Sequence, residues 1–223
     1  VMDDLGASGY ELEQSLRELA VINKWLGGHR VLQSALDTLK PTLEPLQRPV
    51  HIADLGCGGG DLLDYVKRWA DQVAIPVTLY GYDANPHVIQ FAREWISDRA
   101  IQFREANIFD PDFQKQPFDV VLLTLFCHHL PDRELVSFLE QLKSQTSVAV
   151  VINDLHRHPL AYHSISFLST LFSKTPMLKV DAPQSVLRAF TRHELASILQ
   201  EAGYSQVALR WQWAFRWQAI AYP

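Results

Sequence analysis

The run Val50-His51-Ile52-Ala53-Asp54-Leu55-Gly56-Cys57-Gly58-Gly59-Gly60-Asp61-Leu62-Leu63 decides how the rest of the chain is read. Val50, Ile52, Ala53 and Leu55 make a short apolar strand, Gly56, Gly58, Gly59 and Gly60 tighten it into a turn, and a helix starts at Asp61. Strand, glycine turn and helix start form the half-site on which α/β proteins seat an adenosine-bearing cofactor. Glycine is needed because the turn is too tight for a Cβ and the ligand must lie almost against the backbone.

Spacing selects among such cofactors. A dinucleotide fingerprint, G-x-G-x-x-G, counted from Gly56 and Gly58 requires a third glycine where Asp61 stands. The fit is instead to D-x-G-x-G-x-G, carried by Asp54, Gly56, Gly58 and Gly60. This resembles motif I of the class I S-adenosylmethionine (SAM) methyltransferases. A methionine ammonium and sulfonium need a carboxylate and carbonyls nearby, whereas a pyrophosphate needs bare N–H groups. Asp54 supplies the acid. The bland alternative is a glycine turn that holds no ligand.

Composition sets the bounds. A chain of 223 residues, 48% hydrophobic and 20% charged, is expected to bury a sizeable core as one domain with at most a small appendage. Its net charge of −5 gives no electrostatic footprint for nucleic acid. The two cysteines, Cys57 and Cys127, cannot build a disulfide framework, so a reducing cytoplasm is the expected compartment. No run of 18 apolar residues occurs, so no membrane span is expected, and the acidic opening V-M-D-D-L does not read as a signal peptide.

Upstream of the glycine turn, Leu12, Leu16, Leu19 and Ala20 share one helical face, and a second helical run from His29 to Leu39 follows the Gly27-Gly28 break. Pro41, Pro45 and Pro49 read as a linker. Residues 1–49 are therefore an expected helical cap that covers a sheet face or the cofactor cleft, with Asn23, Lys24 and Trp25 beside the double glycine and within plausible reach of a ligand.

Downstream, residues 50–223 alternate strand and helix. Val77–Tyr82 is a strand closing on Asp83, placed to accept hydrogen bonds from both ribose hydroxyls, with Ala84 beside it. Asn85-Pro86 starts a helix as N-cap and first-turn proline. Ile101–Arg104 is a third strand, and the continuous apolar run Phe118–Leu125 is a buried fourth. Arg133–Gln145 reads as helix and Ser147–Asn153 as a fifth strand. Leu160–Val180, without a clean strand period, reads as inserted helices over the cleft or as ordinary core helices, inside an insert spanning residues 157–189, with Asp181–Arg188 as loop. Thr191-Arg192-His193-Glu194 is a capping box for a helix stopped by Gly203. Gln206–Trp211 and Trp213–Ala221 form an expected antiparallel pair, on which Trp211, Trp213, Phe215 and Trp217 alternate and so share a face that reads as core.

This order is similar to the class I methyltransferase pattern: an α/β, doubly wound, seven-stranded, mostly parallel sheet with N-terminal helices and a helical insert over the cleft. The resemblance implies a SAM site at Asp54, Gly56, Cys57, Gly58, Gly60, Asp83, Ala84 and Leu125. An acid often follows the third strand and binds the adenine amino group; here Asn107 takes that position, its side-chain carbonyl still able to accept, and Ile108 flanks the ring. Phe118-Asp119-x-Val121 with His128-His129-Leu130-x-Asp132 resembles small-molecule methyltransferases related to those of quinone biosynthesis. The Asn/Asp-Pro-Pro-Tyr/Phe tetrapeptide of amino-group methyltransferases is missing from this position. Two further strings, I-N-K-W-L-G-G-H-R and N-D-L-H-R-H-P-L-A-Y, resemble bacterial methyltransferases associated with type III polyketide synthases, and imply a phenolic or quinone-like acceptor.

Methylating a phenol, of pKa near 10, gains from a base, and histidine is suited to the task. The candidates at the ends of the fourth and fifth strands are His128, His129, Asp154 and His156, with His156 oriented by a carboxylate as the leading choice and only one of the adjacent His128 and His129 able to face the cleft. Metal-ligand types are present without tight spacing, so no metal is expected. Two other readings remain: an RNA or protein methyltransferase on this fold, and a SAM-binding module without catalysis.

Overall fold

The computed structural model describes residues 6–173 and 175–223; the acidic opening segment, residues 1–5, lies outside the described residues. Its strands are β1 (Val50–Leu55), β2 (Val77–Asp83), β3 (Ile101–Glu105), β4 (Phe118–Thr124), β5 (Thr146–Leu155), β6 (Gln206–Gln212) and β7 (Arg216–Tyr222). They form one sheet of order β3-β2-β1-β4-β5-β7-β6. The pairs from β3 to β5 are parallel, and β7 runs antiparallel between β5 and β6. The chain winds outward from β1 through β2 to β3, then crosses back to β4. That reversal leaves a crevice at the carboxyl ends of β1 and β4, where ligands of open α/β sheets bind.

The helices are α1 (Tyr10–Trp25), α2 (Gly28–Leu43), α3 (Asp61–Gln72), α4 (Pro86–Trp95), α5 (Asp132–Gln145), α6 (Pro159–Phe172), α7 (Pro176–Arg188) and α8 (Arg192–Glu201). Alternation along the strands sends Ile52 and Leu122 to one face, against Leu36 of α2 and Leu63 and Val66 of α3. Their neighbours Ala53 and Val121 face Leu135 and Leu139 of α5 and Leu195 of α8. Because both faces are covered, β4 is apolar at nearly every position, which is why it reads as a continuous run.

At the opposite, amino-terminal edge one carboxylate ties three strands together. Asp119 of β4 accepts two hydrogen bonds from Arg48 (2.7 and 2.8 Å), one from the His51 amide of β1 (2.9 Å) and one from Ser147 of β5 (2.7 Å). Burial raises its pKa, but Arg48, the His51 amide and Ser147 outweigh burial and hold it at about 2.

The cap sits on the sheet through backbone acceptors. Arg216 Nε (3.0 Å) and the Ala214 amide (3.3 Å) donate to the Leu26 carbonyl, Asn153 Nδ2 to that of Gly28 (3.2 Å), and Gln218 Nε2 to that of Val31 (2.6 Å). Gly27 has a left-handed φ of +82°, and a Cβ there would overlap the Trp213 carbonyl. On the other side, α7 packs against α1 and against the short 3-10 turn Cys127–His129 that follows β4. Glu18 of α1 accepts hydrogen bonds from Ser173 (2.6 Å) and Thr175 (3.2 Å) in the α6–α7 connection. Among the described residues no helix is long and apolar enough to cross a membrane.

Three expectations need correction. Pro41 is not linker: α2 continues to Leu43, because Pro41 and the residue whose carbonyl it strands, Asp37, both face solvent. Asp181–Arg188 is not loop but the second half of α7. There Leu178 and Val186 form a buried stripe that carries the helix across Pro183, and the residue four before that proline, Lys179, is exposed. The aromatic alternation near the end is interrupted, since Trp213, Ala214 and Phe215 form the turn between β6 and β7. Trp217 is buried and donates to the Phe190 carbonyl (2.9 Å), but Trp211 and Trp213 are 47% and 64% exposed.

Asp119→Asn is expected to lower stability by about 2 kcal/mol near neutral pH, the scale of lost charge-assisted hydrogen bonds. The folded pKa lies below the unfolded one, so the contribution is complete above the unfolded value of about 4 and fades as pH falls toward 2. Urea denaturation of both proteins at several pH values checks this: their difference should shrink over that acid interval.

Candidate active site

Four of the amides in the glycine turn are already committed. Gly56 and Cys57 donate to the Tyr82 carbonyl (2.8 and 3.0 Å), Gly60 to that of Cys57 (3.0 Å), and Gly58 to Asp83 Oδ2 (3.4 Å). A pyrophosphate cradle offers bare N–H groups; this loop offers chiefly carbonyls and acids. Gly56, Gly58 and Gly60 all have left-handed φ, of +70°, +51° and +81°. A Cβ would meet the Phe126 ring at Gly56 and the Phe103 ring at Gly60, each at 2.5 Å, whereas at Gly58 the nearest atom is Leu16 Cδ2 at 3.7 Å.

Three carboxylates converge on this turn. Asp54, 2% exposed, has an Oδ2 with no hydrogen-bond partner among the described residues. Burial pushes its carboxyl well up, and the negative charges of Asp61 and Asp83 push it further. Asp83 is also raised by burial, opposed by the amides of Asn85 and Gly58. The vacant acceptor on Asp54 fits a cationic ammonium, and the Asp83 carboxylate at the end of β2 fits a diol, so these residues suit SAM.

The remaining sequence candidates lie around the same edge. Ala84 is half-buried after β2, and Leu125, after β4, has φ +53° and donates its amide to the Asn153 carbonyl (3.0 Å). Cys57 is buried in the turn, its thiol pushed well up by burial. Ile108 is buried, whereas Asn107 is exposed and its Oδ1 accepts from the Phe109 amide (3.0 Å). One lone pair of that carbonyl oxygen is thus used locally.

At the ends of β4 and β5, Asp154 is fully buried. It accepts from His128 Nδ1 (2.7 Å), the Leu155 amide (2.7 Å) and the His128 amide (3.3 Å). Burial alone would raise its pKa, but His128 and the two amides bring it below the usual carboxylate value. His128 Nε2 is buried and has no partner among the described residues. His129 is exposed, its ring 4.2 Å from that of His128, so of the adjacent pair only His128 points inward. His156 departs from expectation: the nearby carboxylate is taken by His128. His156 packs instead against the rings of Trp217 (4.8 Å) and His158 (5.4 Å), and burial followed by His158 lowers its pKa. Among the described residues no group of three or more His, Cys, Asp or Glu is gathered to hold a metal ion.

Residues 52–147 match a family model described as a methyltransferase domain. That stretch, from β1 into the start of β5, carries a methyltransferase domain. The methyltransferase is similar to several solved structures. The plantazolicin methyltransferase BpumL, in complex with SAH, is 18% identical at TM-score 0.66 over 95% of this chain and 93% of that one. Human N-acetylserotonin methyltransferase with SAM is also 18% identical, at TM-score 0.68 over 96% of this chain and 56% of that one. Magnesium protoporphyrin IX methyltransferase from Synechocystis PCC 6803, with bound SAH, is 15% identical at TM-score 0.56 over 88% and 84%. At such identities the likeness is one of fold.

Three contributors had no motif to mark them. Leu16 lies over Gly58, Phe126 against Gly56, and the buried Arg216 joins the cap to Asn153 (3.2 Å). Only Arg216 leaves a trace in the sequence, as a cation opening the apolar strand W-Q-A-I-A.

Gly60→Ala should be the more damaging of two matched substitutions. It combines a left-handed alanine with a clash against Phe103, for a loss of about 2–4 kcal/mol, whereas Gly58→Ala adds only the strain of φ, about 1 kcal/mol. Chemical denaturation of the two variants checks the order.

Proposed function

We propose that this methyltransferase carries the SAM methyl to an oxygen of a small aromatic acceptor, a phenol, quinol or polyketide, with His128 as the base and Asp154 holding it. The observation that supports this most is the buried His128–Asp154 pair with Nε2 left without a partner. Asp154 accepts at Nδ1 and so keeps a proton there, which leaves the Nε2 lone pair as the basic site. Bound SAM supplies a methyl already activated on a sulfonium. The acceptor oxygen would take that methyl as the carbon–sulfur bond breaks, leaving S-adenosylhomocysteine (SAH), and His128 Nε2 would receive the phenolic proton. In this reading Asp54, the glycine turn, Asp83, Ala84, Asn107, Ile108 and Leu125 hold the cofactor, and His156 is a wall of the acceptor pocket.

Residues 1–49 and the insert at 157–189 would act together as a roof that excludes water during transfer. The contacts of α7 with α1 and with the 127–129 turn support that division. A roofed crevice favours a small molecule over a folded RNA or protein, as does the net charge of −5. The strings similar to methyltransferases of type III polyketide pathways favour a phenolic product, and two buried free cysteines suit a reducing cytoplasm.

Turnover with a panel of phenols and quinols, read as SAH formed, tests the reading. His128→Ala and Asp154→Asn should each lower kcat by about 10²–10⁴-fold, the range of general base catalysis, with SAM binding nearly unchanged. His156→Ala should stay within about tenfold of wild type; the reverse order would move the base to His156. Asp83→Ala should weaken SAM and SAH by about 10–100-fold in isothermal titration, as loss of a charged hydrogen-bond acceptor does.

A further inference from the structure

The cap carries a polar group that its own packing does not explain. Asn23, on the last turn of α1, is 6% exposed, and its Oδ1 is buried without a hydrogen-bond partner among the described residues. An unsatisfied amide oxygen in such a place is costly, on the order of 1–3 kcal/mol, and calls for a ligand.

Its position narrows the choice. Leu16 and Asn23 are seven residues apart, so they share one helical face. Leu16 reaches the glycine turn at Gly58. Asn23 lies so close to Gly28 that a Cβ there would overlap the side-chain amide, and the Gly28 carbonyl is held by Asn153 at the end of β5. The inner face of α1 therefore runs from the glycine turn, where Leu16 packs with Val88 and Phe91 of α4, to Gly28 at the end of β5, and Asn23 lies at the end of the helix remote from α4.

Charge identifies the ligand group. Asp54 presents a second buried acceptor without a donor, and the charges acting on its carboxyl, Asp61 and Asp83, are both negative. Two acceptors in an acidic setting require a cation with several N–H donors. Of the groups on SAM, the α-ammonium of the methionine end meets this description.

We propose that Asn23 is a cofactor-binding residue whose side-chain carbonyl accepts a hydrogen bond from the ammonium of SAM, opposite Asp54. The cap is then part of the cofactor site. Glu18, on the same helix, grips the α6–α7 connection, so a bound methionine end holds both halves of the roof. The inference rests on SAM being the cofactor.

The test compares two nucleosides by isothermal titration: SAH, and 5′-methylthioadenosine, which lacks the amino-acid end. Asn23→Ala should weaken SAH by about tenfold, the scale of one hydrogen bond to a charged group, and leave methylthioadenosine unchanged. Asn23→Asp, which keeps the acceptor and adds charge, should retain SAH binding. It also guards against a merely unfolded alanine variant. SAH but not methylthioadenosine should protect the cap from limited proteolysis in wild type, and lose that power in Asn23→Ala. Equal effects on both nucleosides, or none, overturn the role of Asn23. A wild-type protein that binds neither overturns the cofactor reading beneath it.

Discussion

A carboxylate taken out of water must find donors, and the carboxyl edge of this sheet buries two, Asp54 and Asp154, and half-buries a third, Asp83. Asp154 has found them in His128 and two backbone amides, and its pKa falls despite complete burial. Asp54 and Asp83 have not found enough, and theirs rise. This contrast divides the crevice into a finished part and an open one. The finished part fixes an imidazole in one orientation. The open part waits for the donors of a cationic, hydroxylated ligand. Both depend on β1 and β4 lying side by side with the chain reversing between them, because only there do strand ends leave room for a ligand.

Much of this was legible in the sequence, for reasons that differ from place to place. The spacing of Asp54, Gly56, Gly58 and Gly60 reflects a local requirement, left-handed backbone beside aromatic rings, and local requirements are written in consecutive residues. The N-cap of α4 is of the same kind: Asn85 accepts from the His87 amide at 2.8 Å. So is the capping box of α8 at Thr191 and Glu194. The errors arose where distant packing overrides a local signal. Pro41 read as linker and Asp181–Arg188, which holds Pro183, as loop, yet both prolines sit in helices that carry buried apolar residues. The alternating Trp211, Trp213, Phe215 and Trp217 gave no hint that a turn would divide them.

The base is the most instructive case. Sequence order put Asp154 two residues from His156, and such neighbours on a strand point the same way. At the end of β5 the chain instead leaves the sheet in an isolated bridge to Phe190, and the acid turns to a histidine 26 positions earlier. No spacing rule carries that pairing, because it exists only once β4 and β5 are in register. The same holds for Arg216, Gln218 and Asn153, whose partners are carbonyl groups, which have no sequence identity at all.

That last set of bonds has a consequence for how the molecule is made. Arg216 grips Leu26 and Gln218 grips Val31 across separations of 190 and 187 residues. The helices that precede the sheet thus gain these anchors only when β7 has paired with β5. Without that pairing α2 still packs on β1, β4 and α3, but the Leu26 and Val31 carbonyls lack these side-chain donors, a long-range dependence of the kind that slows folding. A chain without β7 therefore has a glycine turn but lacks the Arg216 and Gln218 bonds that help fix the cap above it.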